Sequence, residues 1–140
     1  MSFIADSVPF TANLSKLKNL ISIGDEHTLK TYLHYLNDSS LIRLCMKASH
    51  KFKRLDSADK IYLDNPNQMY ALSPTIQNIG TLREVFFLSM LSYQHSVTIP
   101  AQGDFMIDNQ LIFEIGGRKQ EFTQIKNLDH AFLACDDIEP

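Results

Sequence analysis

The sequence predicts an α/β chain of the α+β kind, built as two units, and three observations predict it. Residues 14–36 carry apolar side chains at helical spacing and are followed by two short strand-like runs. Residues 81–135 run in the order apolar helix, strand, hairpin, polar segment, strand, which implies a mixed sheet with helices packed on it. Charge also differs between the two parts of the chain: residues 1–54 hold eight Lys or Arg against four Asp or Glu, and residues 55–140 hold five against twelve. Surfaces of opposite sign imply two units, 1–65 and 66–140. With 44% hydrophobic residues in 140, the chain can bury a core, which excludes a disordered class.

In the first unit, Leu14, Leu17, Leu20 and Ile21 mark one amphipathic helix, and Leu29, Tyr32, Leu33 and Leu36 mark a second. Between them Gly24 permits a tight turn, and Asp25 can cap the second helix by accepting a hydrogen bond from its free amides. Asn37-Asp38-Ser39-Ser40 breaks the pattern. Leu41–Met46 then reads as a strand, and Lys60–Leu63 as a second strand beyond the polar, basic interval 47–59. Two helices followed by a hairpin with a charged tip make a winged helix-turn-helix. Against DNA, His27, Thr28, Lys30, Thr31 and His34 would face the groove, with Lys51, Lys53 and Arg54 on phosphates. Asp25 and Glu26 put negative charge at the helix end that approaches DNA, which favours protein contacts instead. His27 and His34 lie seven apart on one helical face without a further ligand, so a solvated face is expected.

Met69, Tyr70 and Leu72 read as a short helix packed between the units. Thr81-Leu82-Arg83-Glu84 opens a helix that is apolar through Leu91. Its capping-box spacing gives Glu84 two readings, a cap or a position near a metal. His95–Ile99 reads as a strand, then a hairpin of 104–108 and 111–115 turning at Asn109-Gln110. Glu121–Leu128 reads as a polar helix, Ala131–Cys135 as the last strand, and Asp136, Asp137 and Glu139 as a solvated acidic tail.

The hairpin carries the chemistry. Asp104 and Glu114 stand where a metal-dependent nuclease would hold Mg²⁺ or Mn²⁺ through carboxylate oxygens. Two residues past the glutamate, such a site wants a lysine to steady the attacking hydroxide and the transition-state charge, and here stands Gly116. Losing one such stabiliser typically costs about 100-fold or more in rate. Under an active-nuclease reading, Lys119 or Lys126 would reach in from elsewhere to take its place.

Four segments carry a family resemblance: Ser7-Val8-Pro9-Phe10 with the helix-turn-helix, Lys60 to Leu72, Asn78 to Phe87, and Gly103-Asp104-Phe105 with Phe113 to Gly117. Over almost its whole length the chain resembles the C-terminal region of prokaryotic AAA+ ATPases of the type common in Bacteroides-like bacteria. There an ATPase module precedes a winged helix and a PD-(D/E)XK nuclease-like domain. The resemblance implies that Glu84 matches the glutamate of the first core helix, Asp104 the hairpin aspartate and Glu114 the acidic residue of the D/E-x-K element, with Gly116 departing from its lysine.

The expected function is therefore a non-catalytic accessory region of a AAA+ type ATPase. It would contact its own or a neighbouring ATPase module, and DNA weakly. The alternatives are a metal-dependent DNA nuclease and a stand-alone winged-helix regulator. No Gly-x-x-x-x-Gly-Lys-Ser/Thr occurs in the sequence, so ATP and Mg²⁺ belong only to the resembled ATPase module, no cofactor is expected in this chain, and the chain reads as an excised C-terminal part. Apolar runs fall short of the roughly 20 residues that cross a bilayer, and the start lacks signal-peptide character, so no membrane partner and a cytoplasmic address are expected. Cys45 and Cys135, without a Cys-x-x-Cys pair, are expected as buried thiols.

Overall fold

The computed structural model describes residues 10–11, 14–49, 58–73, 78–117, 121 and 123–136. They form a mixed α+β architecture of four helices and two sheets. The helices are α1 (Leu14–Leu20), α2 (Glu26–Asp38), α3 (Pro66–Leu72) and α4 (Ile79–Leu91). The strands are β1 (Phe10–Thr11), β2 (Ile42–Cys45), β3 (Lys60–Leu63), β4 (Val97–Thr98), β5 (Phe105–Ile107), β6 (Leu111–Gly116) and β7 (Ala131–Cys135). Among the described residues, no helix is long and apolar enough to cross a membrane.

The first sheet is antiparallel, ordered β1-β3-β2, with Arg43 opposite Tyr62 and Leu44 opposite Ile61. Helix α2 starts where the sequence places it: the Asp25 carboxylate accepts the Thr28 amide at 3.0 Å, which holds Asp25 below the usual carboxylate range. The left-handed residue of the preceding turn is Ser22, φ 56°, whereas Gly24 is not at positive φ. Helix α3 begins with a complete capping box, Asn65 and Gln68, and Pro66 in its first turn, so its start is encoded locally.

The second sheet is ordered β4-β5-β6-β7. Its first three strands are antiparallel, and β6 and β7 are parallel, with Glu114 opposite Leu133. Three details differ from the sequence expectation. Helix α4 is capped by Asn78, whose side chain accepts the Gly80 and Thr81 amides at 2.9 and 3.3 Å, so the helix begins before Thr81. The hairpin turns at Asp108-Asn109, both at positive φ (51° and 58°), as a type I′ turn requires and as short Asp and Asn side chains tolerate. In the segment 121–128 the described residues form turns, not a helix, pinned by the fully buried Ile125.

The two sheets meet along one core. Ile99, just past β4, receives the Ala48 amide on its carbonyl and gives its own amide to Met46, both at 2.8 Å. Strand β3 is central and buried on both faces. Ile61 and Leu63 therefore alternate away from Tyr62, whose ring lies 5.7 Å from Phe105 of β5. Phe105 packs in turn on Phe87 of α4, and the buried cluster runs without a break from Leu17 and Leu29 through Ile61 and Tyr62 to Val85, Leu88 and Phe105. Arg43 adds a polar tie: its Nε is 2.7 Å from Asp64 Oδ1 and its guanidinium lies 4.7 Å from the Tyr93 ring centroid just past α4. The expected division at 65/66 separates the two sheets, and one core crosses it.

The β5–β6 hairpin is held at its turn by Asp108, whose carboxylate contacts His95 Nδ1 at 2.7 Å and accepts the Ser96 amide at 2.9 Å. The His95 bond, then the Ser96 bond, lower the Asp108 pKa below 3.8. A depressed carboxylate contributes stability above its unfolded pKa and loses it as pH falls through the folded value. Asp108→Asn, which keeps the shape and tolerates positive φ, is expected to lower the melting temperature at pH 6 by a few degrees, with the deficit shrinking below pH 3.8. A deficit equal at both pH values in parallel thermal melts rules out the electrostatic account.

Candidate functional site

Of the acids singled out by sequence, Glu84 and Asp104 lie near Tyr62 where the sheets meet, and Glu114 does not join them. Thr81, Val85 and Leu88 form the buried stripe of α4, and Glu84 belongs to the same stripe by helical spacing. Its carboxylate therefore points inward and accepts a hydrogen bond from the Tyr62 hydroxyl, 2.9 Å to Oε2. Glu84 does not serve as a helix cap, since Asn78 does that. Burial, reinforced by the nearby Asp104 carboxylate, raises the Glu84 pKa, while the Tyr62 bond and Lys60 act in the other direction. Burial, and then the Glu84 charge, push the Tyr62 phenol upward, so it remains a neutral donor.

Asp104 follows Gly103, which has φ +89°. That bend turns the Asp104 carboxylate back onto the hairpin, where Oδ2 accepts the Ile115 amide at 2.7 Å. One carboxylate oxygen thus completes the strand ladder at the mouth of the hairpin.

Glu114 lies elsewhere. On β6, Phe113 stands 5.1 Å from Phe87 of α4, and Ile115 lines a cavity with Phe86 and Phe87, so the odd-numbered side chains face α4. Strand alternation sends Glu114 to the opposite face from Glu84, where it is 3% exposed. Gly116 shares the Glu114 side of the pleat and presents no side chain. Among the described residues, no three His, Cys, Asp or Glu side chains group in a way that could hold a metal ion. Of the two replacement cations considered, Lys126 is exposed and Lys119 lies outside the described residues.

Chemically, the Tyr62–Glu84 hydrogen bond is a polar tie between β3 and α4, with the Asp104 carboxylate nearby repelling the Glu84 charge while it holds the Ile115 amide of β6. The raised Glu84 pKa has a definite consequence for stability. The folded chain holds the Glu84 proton more tightly than the unfolded chain, whose value is near 4.5. Relative stability is therefore full below pH 4.5 and declines as pH rises through the elevated folded value. Glu84→Gln is expected to stabilise the protein at pH 7 while the gain disappears below pH 4.5. Urea denaturation of both proteins at pH 4 and 7 checks this, and a gain of equal size at both would sink it.

The groove-facing candidates on α2 are half-committed to their own helix. The Thr28 hydroxyl donates to Asp25 Oδ2 at 3.2 Å and the Thr31 hydroxyl to the His27 carbonyl at 3.0 Å. His27 is exposed, and Lys30 and His34 are half-buried. Lys51, Lys53 and Arg54 lie outside the described residues. Cys45 is buried, which pushes its thiol up to about 12 and makes it a packing residue, while Cys135 is half-buried on β7.

Two residues escaped the sequence reading. Tyr62 gave only the signal of an apolar strand, and its hydroxyl partner lies 22 positions away. Arg83 was read as part of a helix start, yet its Nε lies 2.7 Å from Asp136 Oδ2, pinning α4 to the end of β7. Asp136 is thus an ion-pair partner and not a free tail residue, while Asp137 and Glu139 lie outside the described residues. Compared with family models, with curated proteins and with solved structures, the chain matches none.

Proposed function

We propose that this chain is a non-catalytic accessory region, a winged-helix-like half joined to a degenerate PD-(D/E)XK nuclease-like half, and that it works by protein contact with a AAA+ type ATPase module. What supports the architecture is the β1-β3-β2 sheet behind two helices, and the α4-led meander to which β7 is added in parallel. The observation that carries the loss of chemistry is the placement of the acids. Glu84 is engaged by Tyr62, Asp104 is engaged by the Ile115 amide, and Glu114 lies on the other face of the sheet beside a position that offers Gly116 instead of a cation. Metal-dependent hydrolysis needs ionised carboxylates converging on the same metal ion.

Protein contact is favoured over DNA by α2. Tyr32 and Tyr35 stand three apart on this helix and are 51% and 65% exposed, and its leading end carries Asp25 and Glu26. Exposed tyrosines suit a protein partner, and acidic groups at that end repel phosphate.

Incubation with supercoiled and linear DNA in Mn²⁺ tests the first part. No cleavage is expected, and cleavage abolished by Asp104→Ala would establish the nuclease alternative. Duplex binding across a salt series tests the second. Tight binding that weakens steeply with salt and is lost in Lys51/Lys53/Arg54→Glu establishes a DNA-binding regulator, whereas weak binding unaltered by those changes leaves the protein-contact reading standing.

A further inference from the structure

We propose that two copies of this chain associate through β7, edge to edge, in an antiparallel register centred on Leu133. Strand β7 ends the order β4-β5-β6-β7, and among the described residues no strand pairs with its outer side. Its five residues, Ala131 to Cys135, are all apolar, yet none is buried, and Phe132 is 46% exposed. It carries none of the devices that protect an open edge, such as a lysine, a proline or a bulge.

The backbone selects the register. The His130 carbonyl accepts from Ile112 and the Asp136 amide donates to Gly116, so the even-numbered backbone groups of β7 point toward β6. The amides and carbonyls of Ala131, Leu133 and Cys135 therefore point outward, since a parallel ladder alternates residue by residue. An antiparallel partner bonds best where outward groups oppose outward groups. Centring on Leu133 pairs Leu133 with the partner's Leu133 and Ala131 with the partner's Cys135, using the whole strand on both sides.

Side chains and charge agree with that register. Phe132 stacks on Phe113 at 5.5 Å and so stands on the α4 side of the sheet. Its cross-edge neighbour is the partner's Ala134, which lines a cavity of about 390 Å³ together with Ile79, Leu82, Phe86 and Ile115. Each phenyl ring would cover the mouth of the other copy's apolar cavity, where Ile79 and Phe86 are also exposed. At the ends of the strand, His130 comes opposite the partner's Asp136, an N–H donor against a carboxylate whose Oδ2 is held by Arg83 of its own copy and whose Oδ1 faces the seam in this register. The occupant that matches this edge in strand length, hydrogen-bond phase and end charge is the edge itself.

Sedimentation equilibrium of the whole chain, with amide hydrogen exchange, tests the proposal. The protein is expected at twice its 16.0 kDa chain mass, with slow exchange at Ala131, Leu133 and Cys135. Leu133→Pro removes one outward amide and leaves the β6 ladder whole, and Phe132→Lys places a charge at the seam. Each is expected to weaken association by at least about tenfold while far-UV circular dichroism is retained. If Leu133→Pro does not fold, Phe132→Lys decides alone. A 16.0 kDa species at all concentrations, including one whose edge accepts a strand from another protein, overturns the proposal. So does a dimer that the folded variants retain, or one in which those three amides exchange rapidly.

Discussion

Phe105→Ala is expected to cost about 3–5 kcal/mol of unfolding free energy, the range for deleting a buried aromatic ring from a packed core. Phe105 is fully buried and is the ring through which the halves of the molecule touch: Tyr62 of β3 lies on one side at 5.7 Å and Phe87 of α4 on the other at 5.8 Å. The void left behind adjoins the Tyr62–Glu84 hydrogen bond, so water entering there would also reach the buried carboxylate. Because one core spans both sheets, the loss should appear as a single cooperative transition moved to lower denaturant, with both halves melting together. Two separated transitions, with the first half unmoved, would show that the halves are stabilised independently. A loss under about 1 kcal/mol would show that Phe105 is not the keystone its packing implies.

Gly103→Ala is expected to cost about 2–4 kcal/mol, the sum of a left-handed backbone forced on an L side chain and of overpacking. Gly103 has φ +89°, and a Cβ there would come within 2.9 Å of Ile112 Cγ2, 3.2 Å of Ile125 Cγ2 and 3.3 Å of the Phe113 carbonyl oxygen. The side-chain methyl groups can shift slightly, but the carbonyl belongs to β6 and is bonded to the Asp104 amide at 2.9 Å. Relief would therefore come from rotating the 103–104 backbone, which would pull the Asp104 carboxylate off the Ile115 amide. Two readouts separate strain from a general loss of packing: denaturant unfolding, and faster exchange of the Ile115 amide in the variant. An Ile115 amide as protected as in the parent, with stability within about 0.5 kcal/mol, would contradict this account.

Most elements were legible in the sequence because their signals are local. The apolar spacing of Leu29 and Leu33 and the carboxylate of Asp25 define α2 within a few turns, and the structure keeps both. Lys60–Leu63 and Ala131–Cys135 form strands with the bounds the sequence implies. The misplaced details concern competing local choices. Asn78 captures the start of α4 ahead of Thr81, and Asp108 takes the left-handed turn position alongside Asn109. The 121–128 segment has enough polar residues for a solvated helix, but the burial of Ile125 against the sheet ties it down as turns.

The candidate site was legible as a set of residues and illegible as a geometry. Glu84, Asp104 and Glu114 can be picked from the chain, but whether three carboxylates converge depends on which face of β6 meets α4. Packing of Phe113 and Ile115 settles that, and it turns Glu114 away.

The sequence by itself determined most of the helices and strands in their order, the cap at Asp25, and the missing cation at Gly116. These depend on periodicity and on hydrogen bonds that span a turn or less. Only the tertiary structure decided that Tyr62 holds Glu84, that one core joins the two sheets, and that β7 stands last in its sheet among the described residues. Those outcomes depend on contacts between residues far apart in the chain, where burial and strand pairing select the partner and no local pattern records the choice.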